Sequence, residues 1–188
     1  VVDGDARGLE APPGVVVHDY EQLIGAQPTS FAYPVIDERS AAAMCYTSGT
    51  TGDPKGVVYS HRSLSLHAAY VTTPAAMSLS PADTCLAIVP MFHISSWSLP
   101  FAALMSGASL LLPDRFLQPE PLLALMAAGR PTRAAAVPTI WAGLLERLDE
   151  HPQDISHLRE ALVGGSSVPP ALMRAFEERH GVRIDRKS

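Results

Sequence analysis

Short apolar runs alternate with longer amphipathic stretches through the second half of the chain, and this rhythm constrains the fold more than any other feature. The runs at 85–89, 109–112, 133–137 and 161–163 have the length and apolar content of buried strands. Between and after them, residues from about 93 to 105, 119–128, 139–150 and 170–180 carry helical patterning, the last opened by Pro169. Strands joined through helices return in the same direction instead of as hairpins. The alternation therefore predicts an α/β fold, a mostly parallel sheet layered with helices on its faces. Arg183, Ile184 and Asp185 read as the opening of one more strand.

Residues 1–40 are rich in Pro, Gly and acids, with short apolar pieces only at 15–17 and 20–24. They are expected to form a loop-rich lead-in to a β/α core over 41–188. Residues 41–46 make a short continuous apolar run, and 56–59 are β-branched and aromatic, so both read as strands. They flank a Gly/Thr-rich loop, as in a hairpin. No internal repeat or low-complexity tract interrupts the pattern.

Composition removes several function classes. With 188 residues and 47% hydrophobic content, the chain can bury one sizeable core. A formal net charge of -5 without any basic run argues against a face that neutralises nucleic-acid phosphates. The longest apolar stretches are broken well before the roughly 20 residues of a bilayer span, so no transmembrane helix is expected. Cys45 and Cys85 lie in apolar stretches without a partner at metal-ligand spacing, which predicts buried reduced thiols and a cytoplasmic setting. The chain opens on Val1 without a leader pattern and closes just as a strand starts, as expected of a truncated or interrupted reading frame.

The chemistry concentrates in Tyr46-Thr47-Ser48-Gly49-Thr50-Thr51-Gly52-Asp53-Pro54-Lys55-Gly56. Glycines let the backbone turn closely and present N–H groups, hydroxyls add donors, and Lys55 brings a positive charge: the parts of a polyphosphate cradle. The spacing is not that of the G-x-x-x-x-G-K-[ST] loop, because Pro54 stands five positions after Gly49 and the lysine is followed by Gly56. A flexible Ser/Thr/Gly surface turn is the plain alternative, and the order of eleven residues argues against it. Other constellations carry less. His61 and His67 are six apart, which does not suit a zinc pair on one helical face, and no acidic or Cys cluster joins them. Asp37 and Glu38 are adjacent, so their carboxyls do not converge and read as solvated charge. Ser166 does not sit in a G-x-S-x-G elbow, since Val168 stands where Gly is required.

The loop resembles the signature of adenylate-forming enzymes, the family of acyl-CoA synthetases, firefly luciferase and peptide-synthetase adenylation domains. Thr47, Ser48, Gly49, Thr50, Thr51, Gly52, Pro54 and Lys55 all match, and the resemblance to bacterial fatty-acyl-CoA synthetases continues through Gly56-Val57-Val58-Tyr59-Ser60-His61-Arg62. Pro90-Met91-Phe92-His93-Ile94-Ser95-Ser96-Trp97-Ser98-Leu99-Pro100 is similar to the family's second core motif. Val137-Pro138-Thr139-Ile140-Trp141 and Leu162-Val163-Gly164-Gly165-Ser166-Ser167-Val168-Pro169 follow in the expected order.

The resemblance implies the large N-terminal domain of such an enzyme, in part. It implies that residues 47–52 and Lys55 embrace the ATP phosphates and that Thr47 helps hold Mg²⁺. Lys55 and His93 would serve catalysis, and Gly165 with Ser166 would contribute to the nucleotide side. His93 and Ile94 would line the place where carboxylate meets ATP, Trp97 would gate the acyl tunnel, and Gly164 and Gly165 would let the substrate approach the backbone. The implied reaction joins a fatty acid, ATP and coenzyme A through acyl-AMP, with pyrophosphate and then AMP released. It also leaves room for a homodimer. Residues 184–188 do not continue into the Tyr-Gly-x-Thr-Glu motif of relatives. The ribose-binding Asp and the small C-terminal domain with its adenylation lysine have no counterpart in the sequence, so the 188 residues alone are expected to be inactive. A non-catalytic nucleotide-binding module and an aryl- or amino-acid adenylating fragment are the alternatives, the latter disfavoured by Met91, Phe92, His93 and Trp97.

Overall fold

The computed structural model describes residues 10–47 and 53–186. The chain divides into two units, Val1–Ile36 and Asp37–Ser188. In the first, a short helix α1 (Tyr20–Gly25) is capped by Asp19, whose carboxylate accepts from the backbone of Gln22 at 3.0 Å. Phe31 and Tyr33 meet edge to face with ring centroids 5.1 Å apart.

The second unit opens with an antiparallel hairpin, β1 (Ala41–Thr47) and β2 (Lys55–Ser60), in which Thr47 stands opposite Lys55. The expected hairpin is therefore present, and the loop it carries, residues 48–52, lies outside the described residues. Helix α2 (His61–Thr72) follows without a break because the Ser60 hydroxyl accepts from the N–H of Ser63 at 3.1 Å and caps it. The chain then runs through β3 (Thr84–Ala87), α3 (Ile94–Trp97), α4 (Leu99–Ser106), β4 (Ser109–Leu111), α5 (Pro119–Gly129) and β5 (Arg133–Ala136). It continues with α6 (Pro138–Glu150), β6 (Glu160–Val163), α7 (Pro170–His180) and β7 (Arg183–Arg186). Strands β3 to β7 pair in parallel in the order β4-β3-β5-β6-β7.

Alternating side chains of these strands feed two cores. Leu86, Ile88, Ala134, Ala136, Ala161 and Val163 pack under α5, α6 and α7 around Trp141 and Phe176. Cys85, Ala87, Val89, Ala135 and Leu162 point the other way, against Ala68 and Val71 of α2 and Leu99 and Ala102 of α4. The reason is topological. The chain steps from β3 out to β4 and then crosses back past β3 to β5, so right-handed connections place α4 and α5 on opposite faces. Beyond the carboxyl ends of β3 and β5 this reversal opens a crevice, the usual ligand position in an open α/β sheet.

The opposite, amino-terminal end of the sheet is closed by charge. Asp83, buried, accepts from Thr132 Oγ1 at 2.7 Å, Ser80 Oγ at 2.8 Å and Arg159 Nη2 at 2.9 Å. Buried Glu160 lies between Arg133, at 3.5 Å, and Arg183, with which it makes a short ion pair. Burial by itself would raise the Asp83 carboxyl. The hydrogen bonds from Thr132 and Ser80 and the nearby Arg133 outweigh it and hold the group below the usual carboxylate range.

Candidate active site

Three elements converge on the crevice. The segment after β3 brings His93, Ile94 and Trp97, the turn after β6 brings Gly164 and Gly165, and α2 brings His67, Tyr70 and Val71. Together with Met77, Leu99 and Leu162 they line a cavity of about 550 Å³, within the usual size range of small-molecule sites. The lining combines the two histidines and Tyr70 with the apolar side chains of Val71, Met77, Leu99 and Leu162.

The local backbone is unusual. A continuous helix is expected from about 93 to 105, and the structure instead interrupts it. Ile94, Ser95, Ser96, Trp97 and Ser98 all have positive φ, from 45° to 57°, before α4 begins in the ordinary hand. Five successive left-handed residues without a glycine cost about 1–2 kcal/mol each, so the surroundings must impose the turn. They do so through three serines. Ser96 Oγ donates to the Val89 carbonyl at 2.5 Å, Ser98 Oγ shares a 2.8 Å hydrogen bond with His67 Nδ1, and Ser95 Oγ lies 4.0 Å from Cys45 Sγ of β1. All three serines are buried.

The turn delivers Trp97 onto Gly164. A Cβ at position 164 would fall 2.8 Å from Trp97 Cη2 and 3.0 Å from Cζ2, so only glycine lets the indole lie there. Gly165 has φ +86°, the left-handed region in which glycine alone is unstrained, with Val137 beside it.

Of the residues singled out in the sequence, His93, Ile94, Trp97, Gly164 and Gly165 are thus brought to one cavity. Ser166 is exposed on the same turn and is not among the lining residues. Lys55 opens β2, exposed, and Thr47 ends β1 across from it; the Thr47 side chain and residues 48–52 lie outside what is described. The sequence reading missed α2 and with it His67, Tyr70 and Val71. Ser60 as cap, with Leu64, Ala68 and Val71 at helical spacing, was the available signal. Among the described residues no group of three or more His, Cys, Asp or Glu gathers as a cation cage, and no helix is long and apolar enough to cross a membrane.

The family profile described as AMP-binding enzyme matches residues 5–185. The chain belongs to the AMP-binding enzyme family. Among relatives of the chain, the medium-chain-fatty-acid–CoA ligase of Ectopseudomonas oleovorans is 41% identical over 172 residues, 92% of this chain and 31% of that protein. The 3-methylmercaptopropionyl-CoA ligase of Ruegeria lacuscaerulensis is 42% identical over 174 residues, 93% of this chain and 32% of that protein. The chain spans about a third of the length of these curated relatives. The crystal structure of a long-chain-fatty-acid-CoA ligase from Archaeoglobus fulgidus superimposes with a TM-score of 0.75 at 26% identity, covering 92% of this chain and 36% of that one. The α/β architecture expected from the alternation is therefore the family's own.

Proposed function

We propose that this AMP-binding chain forms the phosphate loop and the acyl-side cavity of an ATP-dependent fatty-acyl-CoA synthetase. The observation that carries the reading is the convergence of His93, Ile94, Trp97, Gly164 and Gly165, from two distant segments, on one half-apolar cavity. An acyl chain would pack against Val71, Met77, Leu99 and Leu162, with its carboxylate at His93. Residues 47–52 and Lys55 take the ATP phosphates, where fixed N–H dipoles and the lysine charge offset the negative charge that gathers on pyrophosphate as acyl-AMP forms. Thr47 would help hold magnesium through its hydroxyl, which suits an ion that keeps water and nucleotide oxygens as its other ligands. When bound, the ion neutralises phosphate charge. Coenzyme A's thiol then displaces AMP, and no enzyme nucleophile is needed. The Cys85 thiol agrees with that: burial pushes it up to about 12, far from a reactive value.

A medium-chain fatty-acid ligase and a 3-methylmercaptopropionyl ligase are almost equally similar to the chain, and the apolar lining of Val71, Met77, Leu99 and Leu162 supports the fatty acid of the two. Trp97→Ala in the full-length protein tests the assignment. The expected result is a shift in preference among short, medium and long fatty acids, with ATP affinity held within about threefold, because the side chain lies against the acyl wall. A collapse of ATP affinity with unchanged chain preference would refute it.

A further inference from the structure

We propose that the hydroxyls of Ser96 and Ser98 are positioning groups: they hold the left-handed turn 94–98 that seats Trp97 on Gly164, and through that seat they set how long an acyl chain the cavity accepts. The part concerning chain length rests on the acyl-CoA synthetase reading; the part concerning the turn does not.

The turn has no internal reason to be left-handed. None of its residues is glycine, Ile94 is β-branched and Trp97 is bulky, and the residues that follow continue as a right-handed helix. Released, the segment would join α4 as one right-handed helix, as its sequence pattern suggests, and the indole would leave Gly164. What opposes this is a set of side-chain tethers to neighbouring elements. Ser96 reaches the segment just beyond β3 through the Val89 carbonyl, and Ser98 reaches α2 through His67. The Ser95 to Cys45 contact, at 4.0 Å to sulfur, is the weakest of the three. Ser96 matters most. Its hydrogen bond is the shortest, its side chain is almost fully buried, and it immediately precedes Trp97.

This role differs testably from simple space filling. Alanine at position 96 removes the tether and keeps the cost of positive φ. Glycine removes the tether and the cost together, so the backbone can stay left-handed unaided. A tether predicts that glycine preserves the seat better than alanine. Space filling predicts the reverse, because glycine leaves the larger void.

The experiment labels the full-length protein with fluorotryptophan and follows fluorine NMR, assigning Trp97 by the resonance lost in Trp97→Phe and using Trp141, buried in the other core, as the folding control. Ser96→Ala is expected to move or broaden the Trp97 resonance while leaving Trp141 in place, and Ser96→Gly to leave both near their wild-type positions. In parallel, the kcat/KM ratio for decanoate over hexanoate should change about threefold or more in Ser96→Ala and stay near wild type in Ser96→Gly. An unmoved Trp97 resonance in Ser96→Ala, or equal displacement by alanine and glycine, overturns the proposal. Should Ser96→Ala disturb Trp141 as well, Ser98→Ala against Ser98→Gly is read by the same rule, and equal displacement there overturns it. A wild-type protein that turns over neither acid defeats the acyl-CoA synthetase reading, while the resonances still decide the turn.

Discussion

Lys55 stands where a single charge can matter more to the chemistry than to the packing. It opens β2 across from Thr47, exposed, at the foot of the loop assigned to the phosphates. An exposed side chain contributes little packing, so Lys55→Ala should change stability by no more than about 0.5 kcal/mol. Removing a cation aimed at transferring phosphate charge is typically worth on the order of 10²-fold in rate. Pyrophosphate release by the full-length protein should therefore fall by about that factor while the thermal midpoint hardly moves. An unchanged rate would take Lys55 out of the mechanism. Asp83 is the opposite kind of residue, buried at the amino-terminal end of the strands and not among the residues that line the cavity. Its lowered carboxyl contributes stability that is fully present above the ordinary value of about 3.9 and is lost as pH falls through the lower folded value. Asp83→Ala, which removes the acceptor shared by Thr132, Ser80 and Arg159 and one of the two carboxylates beside Arg133, should cost roughly 3 kcal/mol at neutral pH. Chemical denaturation of the two proteins at pH 7 and at pH 3 should show the gap narrowing in acid.

The elements were legible where local pattern and tertiary role agree. The β/α alternation from 85 onward and the hairpin around the Gly/Thr-rich loop follow from apolar run length and the Gly/Thr break, and their boundaries in the structure lie within a residue or two of those expected, except that the helix expected from about 93 begins in its right-handed form only at Leu99. Helix α2 escaped notice because its outward face mixes His61, Arg62, Ser63, Ser65 and Leu66, diluting the apolar stripe of Leu64, Ala68 and Val71. The left-handed turn was not legible at all. Its residues have no local preference for positive φ, and its tethers reach Val89, His67 and Cys45, the last fifty positions away. The same separation hid the charge network, in which Asp83 meets Thr132 and Arg159 across 49 and 76 positions. Of the candidate site, the residues could be named from motif order, whereas their meeting in one cavity depends on the crossover from β4 to β5.

At the scale of the whole molecule, a polypeptide of these 188 residues, about a third of its relatives' length, is expected to form no AMP above a Lys55→Ala control when given ATP, Mg²⁺, coenzyme A and octanoate or palmitate. The resemblance assigns adenine packing, ribose binding and the adenylation lysine to segments outside residues 1–188, and such groups each carry on the order of 10²-fold in rate. Robust, Lys55-dependent AMP formation would overturn that assignment of the chemistry. What residues 1–188 do secure is alignment. Arg133 stands opposite Glu160, and Glu160 opposite Arg183, as direct partners on adjacent parallel strands. If β6 slid by one position, either Arg159 would come to lie between two arginines or Ala161 would leave both uncompensated. The same slide would turn Leu162 to the wrong face and carry Gly164, four positions beyond Glu160, about 3.3 Å along the strand, out from under Trp97. The charged triplet thus acts as a checksum on strand assembly, read at one end of the sheet, and the shape of the cavity at the other end is the message it protects.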